Sequence, residues 1–111
     1  MSVPVPLDEL PQRIEQFGPY PYLLTVAADG RPRANSVSVQ WHRNLLMIRP
    51  GRRTAENVAA NEAVALMWPA PEPGSHALIV DGWAAIHDSP ETNLVLFVQP
   101  GKAVLHVSKG P

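Results

Sequence analysis

YLLTVAADGRPRANSVSVQWHRNLLMIR occupies residues 22–49, and three strands and two turns follow from it alone. Tyr22 to Ala27 is an apolar, β-branched run, and Asp29–Gly30 is a tight-turn pair. Arg33 to Trp41 then alternates, with Asn35, Val37, Val39 and Trp41 on one face and Ser36, Ser38 and Gln40 on the other. Arg43–Asn44 makes the second turn and Leu45 to Arg49 the third strand. Strands joined by turns this short have to run antiparallel, so the first half of the chain reads as a meander.

Upstream, Asp8 is placed to cap a short helix from Glu9 to Phe17, whose Leu10, Ile14 and Phe17 share one face before Gly18 and Pro19 end it. Downstream, Pro50 and Gly51 break the sheet, and Ala55, Val58 and Ala59 return at helical spacing. The spacing predicts a second helix over 54–61, with Thr54 as N-cap and Glu56 in the first turn. Ala63 to Trp68 is a fourth strand, the PAPEPGSH segment at 69–76 a loop, and Ala77 to Ile86 a fifth strand. Gly82 inside that fifth strand marks a bulge or a close backbone approach. Leu94 to Gln99 reads as a strand or a buried helical turn, Pro100–Gly101 as a turn, and Ala103 to Ser108 as the sixth strand. Six short strands would leave exposed edges unless the sheet closed on itself, so the expected fold is mainly β: a closed or nearly closed antiparallel barrel with two short helices. It forms a single domain over 1–111, with the helix in 1–18 and the barrel in 19–108.

Composition narrows the functions. Nine Lys and Arg stand against ten Asp and Glu, so an anion must be gripped locally, and a general nucleic-acid binder is disfavoured. The absence of cysteine excludes disulfides, thiolate zinc or iron–sulfur ligation and a cysteine nucleophile. No apolar run approaches the ~20 residues that span a bilayer, and MSVPVPLDEL lacks the charge and apolar core of a signal peptide, so the expected setting is cytoplasmic, away from membranes. The four histidines, His42, His76, His87 and His106, show no metal-ligand spacing, and no Ser-His-Asp arrangement is recognisable. Asp81 has no partner in sequence for acid–base work.

The most informative turn is Arg49-Pro50-Gly51-Arg52-Arg53-Thr54, where three basic residues fall directly before a helix start. Unpaired backbone N–H groups, the positive end of the helix dipole, the Thr54 hydroxyl and two guanidinium forks would converge there on one phosphate. A solvated basic turn with Thr54 as a plain cap is the other reading of the same residues. Trp41, Trp68 and Trp83 lie in or beside strands, where packing in a core or between subunits is their ordinary use. Apolar positions on both faces of YLLTVA and ALIVDGW exceed what one small core covers, which points to a second copy.

The order YLLTVAADGRPRANSVSVQW, LLMIRPGRRTAENVAANEAVALMW, IVDGWAAI and a KAVLH tail resembles the pyridoxamine 5′-phosphate oxidase-like, FMN-binding split β-barrel superfamily, over residues 18–107. The resemblance implies a homodimer holding FMN, or in some branches a deazaflavin or haem, in a groove between subunits. It implies that Arg52, Arg53 and Thr54 contact the cofactor phosphate, with Arg49 and Asn57 nearby. It also implies that Asn35, Ser36, Val37, Ser38 and Val39 run beside the ring, and that Trp68 approaches the partner's site. Thr54 stands where many members carry lysine, and the C-terminal segment is short, which removes pyridoxamine phosphate itself as the expected substrate. The expected function is a flavin-dependent oxidoreductase passing hydride to or from a small molecule. The alternative is a non-catalytic module that sequesters flavin or haem. A single-stranded nucleic-acid barrel using Trp41 or Trp83 for stacking is the remaining class, disfavoured by charge.

Overall fold

The structure is a computed structural model that describes residues 1–108, so the last three positions of the expected 1–111 domain lie outside the described residues. In chain order the elements are β1 (Ser2–Val5), a 3-10 turn (Leu7–Glu9), α1 (Leu10–Phe17), β2 (Tyr22–Val26), β3 (Pro32–Ser36), β4 (Gln40–His42) and β5 (Leu45–Ile48), followed by α2 (Arg52–Ala60), β6 (Ala63–Trp68), β7 (Ala77–Ser89) and β8 (Asn93–His106). The strands form one antiparallel sheet in the order β3-β2-β6-β7-β8-β5-β4, with β1 also on β8.

The edge strands β3 and β4 are joined by residues 37–39 alone. Four chain steps span at most about 14 Å, whereas the outer members of seven flat, neighbouring strands would lie roughly 29 Å apart. The sheet therefore rolls. Its edges do not zip together: Val37 N–H donates to the Pro21 carbonyl (3.0 Å) and Val39 N–H to the Pro19 carbonyl (2.8 Å), both on the approach to β2. The result is a mainly β, split barrel. Strands β7 and β8 pair along their whole length, and at ~3.3 Å per residue a 13-residue strand accounts for the molecule's 44 Å long dimension.

Three expectations about boundaries change. The strand read from Arg33 to Trp41 is two strands, because the chain leaves β2 and joins β5 at Val37–Val39. Pro100–Gly101 makes no turn, and Leu94–Gln99 is strand: both lie within β8, where Gly101 is the extra residue of a bulge opposite the Asp81–Gly82 step of β7. The other side of β8 pairs β5 at Leu96–Val98 and β1 at Ala103–His106, so the missing proline N–H falls in the gap between them. Asp8 sits in the 3-10 turn and caps nothing; α1 starts at Leu10 with Pro11 in its first turn, where a residue without N–H costs no helical bond. The strand β1, Ser2-Val3-Pro4-Val5, is an addition: its proline and four-residue length hid it, and β8 holds it from Ser2↔His106 to Val5↔Ala103.

Turn chemistry follows the sequence. Gly30 takes φ 89° between β2 and β3, while Asp29 Oδ1 accepts the Arg31 N–H at 3.0 Å. Alternate residues of each strand fill the barrel: Leu23, Leu46, Ile48, Leu66, Leu78, Val80, Leu96 and Val98 are buried, and Leu10 and Ile14 of α1 and Val58 of α2 join them. At ~1.5–3 kcal/mol for each large apolar side chain removed from water, these contacts are the main stabilising term.

Candidate functional site

Strand β5 ends where Pro50 can no longer supply a ladder N–H, and Gly51, extended at φ −76° and ψ 172°, becomes the N-cap of α2. Thr54 is therefore the third residue of the helix and not its cap. With glycine in that place no side chain closes the helix end, and the first-turn N–H groups stay open. Arg52 and Arg53 open the helix, both exposed and neither in an ion pair. The first turn carries no acidic residue, and Glu56 faces solvent. Backbone N–H groups, a helix dipole and two free guanidinium groups thus share one exposed corner.

Two side-chain hydrogen bonds moor this corner. The buried Thr54 hydroxyl donates to Asn35 Oδ1 of β3 at 3.3 Å. One turn on, Asn57 Nδ2 donates to Thr25 Oγ1 of β2 at 3.1 Å, with both residues buried. Each bond contributes about 0.5–1.5 kcal/mol net, but an orphaned partner in that setting would cost more. Together they fix the helix start against the exposed edge strand β3. Thus Arg52, Arg53, Thr54 and Asn35 come together, with Ser36 exposed at the end of β3 and Ser38 exposed in the link to β4.

Other expected site residues are turned elsewhere. Val39 is buried in the core and Val37 packs against it, so their side chains face inward while Ser36 and Ser38 face out. Asn57 looks into the sheet, toward Thr25, and offers its amide to no ligand. Arg49 Nη1 donates to the Thr92 carbonyl at 2.8 Å and pins the β7–β8 turn, a long-range contact that no local spacing reveals. Trp68 is 1% exposed, with Nε1 donating to the Gly18 carbonyl at 2.7 Å. An indole enclosed in its own barrel has no surface for a partner, so the expectation for Trp68 is corrected. Sequence reasoning missed Gly51 as the cap and Thr25 as the tether of Asn57; a threonine within the inward-facing alternation of β2 was the one available signal.

The outer face of β2, β6 and β7 is apolar. Leu24, Val26, Pro32, Ala65 and Trp83 line a groove of 510 Å³ there. Trp83 is 52% exposed, while Asp81 and Lys102 lie opposite each other in register on that face and make no ion pair among the described residues. Among the described residues, no group of three His, Asp or Glu is placed to hold a metal ion.

An uncharacterised protein of Mycobacterium tuberculosis, like one of Mycobacterium bovis, is 33% identical over 107 residues, covering 84% of this chain and 74% of that protein. No family model matches the chain. Among solved structures, a Listeria innocua protein assigned to the pyridoxamine 5′-phosphate oxidases superposes with a TM-score of 0.74 at 18% identity, over 92% of this chain and 98% of its own. The chain belongs with these two mycobacterial proteins in one family, and its fold is that of the pyridoxamine 5′-phosphate oxidase-like split β-barrels. Within the split-barrel superfamily, an F420 reductase matches at 0.63 and 23% identity, over 77% of this chain and 88% of the other. A FAD-binding protein of Mesorhizobium loti matches at 0.69 and 12%, over 94% of each chain. A haem storage protein of Vibrio cholerae matches at 0.65 and 19%, over 90% and 94%. Proteins of this fold are thus named for three different cofactors. The open helix end and the unpaired Arg52 and Arg53 fit a phosphorylated headgroup, since both supply donors that the chain leaves unused.

Proposed function

We propose that this split barrel binds FMN, or a deazaflavin, by its phosphate at the start of α2 and works as an oxidoreductase on a small molecule. The observation that carries the reading is the helix end capped only by Gly51, flanked by two uncommitted guanidinium groups and moored to β3 through Thr54–Asn35. A bound flavin supplies hydride transfer. Arg52 and Arg53 neutralise and orient the phosphate, and the open N–H groups of the first turn donate to its remaining oxygens. Ser36 and Ser38, on the exposed side of the β3–β4 link, are placed to hydrogen-bond a ring lying along that edge.

The reading includes a homodimer. An apolar face around Tyr22, Leu24, Ala65, Met67, Ile79 and Trp83 is more than a small barrel leaves open without purpose, and Asp81 with Lys102 makes that face self-complementary about a two-fold axis. A cofactor at the rim of such an interface would be shielded from water by the second copy.

Titration of FMN against the purified protein, followed by flavin fluorescence, tests the proposal. Saturable binding is expected, and Arg53→Ala should weaken it by about 10- to 100-fold, the worth of one charge-assisted hydrogen-bonding partner. A protein that binds neither FMN nor a deazaflavin overturns it. The likeness to a haem storage protein supports a second reading, cofactor storage without turnover. A Soret band on haem addition, with no acceptor reduced by the flavin-loaded protein, would select that reading.

A further inference from the structure

We infer that a second ligand site lies away from the α2 corner, between the 3-10 turn and the β4–β5 turn, and that it takes a small zwitterion with an apolar body, of the α-amino-acid class. A groove of 650 Å³ runs there, within the range of small-molecule sites. Its apolar walls are Leu7, Leu10, Pro11, Trp41 and Pro100. Four polar side chains stand around them, Asp8, Arg43, Asn44 and Gln99, and none makes a side-chain hydrogen bond or ion pair among the described residues. None of the residues expected to hold the flavin lines this groove.

Charge selects the ligand. Asp8 and Arg43, of opposite sign, border one apolar trough without meeting, so an ammonium and a carboxylate on the same small molecule would satisfy both. A purely anionic or cationic ligand would leave one of them facing its own sign. Asn44 and Gln99 supply neutral donors and acceptors for the same polar end. Trp41 Nε1 is the one buried side-chain nitrogen or oxygen among the described residues with no hydrogen-bond partner. The same indole also walls a neighbouring groove of 440 Å³ against Pro11, Ile14 and Gly18 of α1.

The experiment uses the full chain labelled with ¹⁵N, in which the indole N–H signal of Trp41 is assigned by its loss in Trp41→Phe. L-Leucine is the probe, with L-leucinamide, which lacks the carboxylate, and N-acetyl-L-leucine, which lacks the ammonium, as comparisons. The Trp41 signal is expected to move saturably with L-leucine, and both analogues and the Arg43→Gln and Asp8→Asn variants should bind about tenfold or more weakly. These side chains are exposed and unpaired, so the variants keep the fold, which the unchanged signals of Trp68 and Trp83 verify. A Trp41 signal that does not move, equal responses to all three probes, or undiminished binding by Arg43→Gln would each overturn the inference. FMN binding is measured on the same variants and should be unchanged, which separates failure here from failure of the flavin reading.

Discussion

Gly82 shows how much a single residue settles. A methyl group there would run into the Gln99 carbonyl oxygen of β8, and backbone cannot swing aside as a side-chain tip can. Gly82→Ala should therefore cost about 1–3 kcal/mol, the range for overpacking, visible as a lowered Tm. At Gly101 the added carbon would meet the Trp83 ring, 2.6 Å from Cζ3, and because that ring is half-exposed and able to turn, Gly101→Ala should cost less. Trp68→Phe removes both the 2.7 Å bond to the Gly18 carbonyl and core volume. It should lower stability by about 1–3 kcal/mol while leaving the affinity for FMN unchanged. A weakened FMN affinity would return Trp68 to the site from which its burial removes it.

At the scale of elements, α2 is held to the sheet by Val58 in the core and by the polar pairs Thr54–Asn35 and Asn57–Thr25. Thr54→Val keeps the shape and deletes the first bond. Amide exchange in the first turn of α2 should quicken and FMN affinity fall, whereas Thr54→Ser restores both, since only the hydroxyl is at issue. Arg49→Ala addresses the β7–β8 turn: releasing the Thr92 carbonyl should speed exchange and proteolysis at 89–93 without altering FMN binding. Most elements were legible in their own residues. The Asp29–Gly30 hairpin, the alternation of Ala63–Trp68 and the helical stripe of Ala55 and Val58 each carry their signal within a few positions. β1 was not legible, since a four-residue edge strand with a proline looks like an irregular tail until β8 is beside it.

For the whole molecule the decisive quantity is how much apolar surface remains after the barrel rolls. Tyr22 at 41% exposure and Trp83 at 52% lie on one outer face, with the Asp81–Lys102 pair between strands β7 and β8. Light scattering at micromolar concentration should give a dimer. Trp83→Glu should give a folded monomer, because a carboxylate facing its own copy across a two-fold axis is both desolvated and repelled. A wild-type monomer would refute the dimer proposal. Most of the strands, both helices, the Asp29–Gly30 hairpin turn and the positive charge of the Gly51-Arg52-Arg53 turn were determined by the sequence itself, because alternation, helical spacing, turn residues and local charge act within a few residues. Tertiary structure alone decided that β8 runs on through Pro100–Gly101, that Trp68 and Asn57 turn inward while Arg49 crosses to Thr92, and that Asp8 and Arg43 border one groove. Each of these depends on which distant strand lies alongside, and a side chain's partners across a rolled sheet are set by register and curvature, which no run of neighbouring residues encodes.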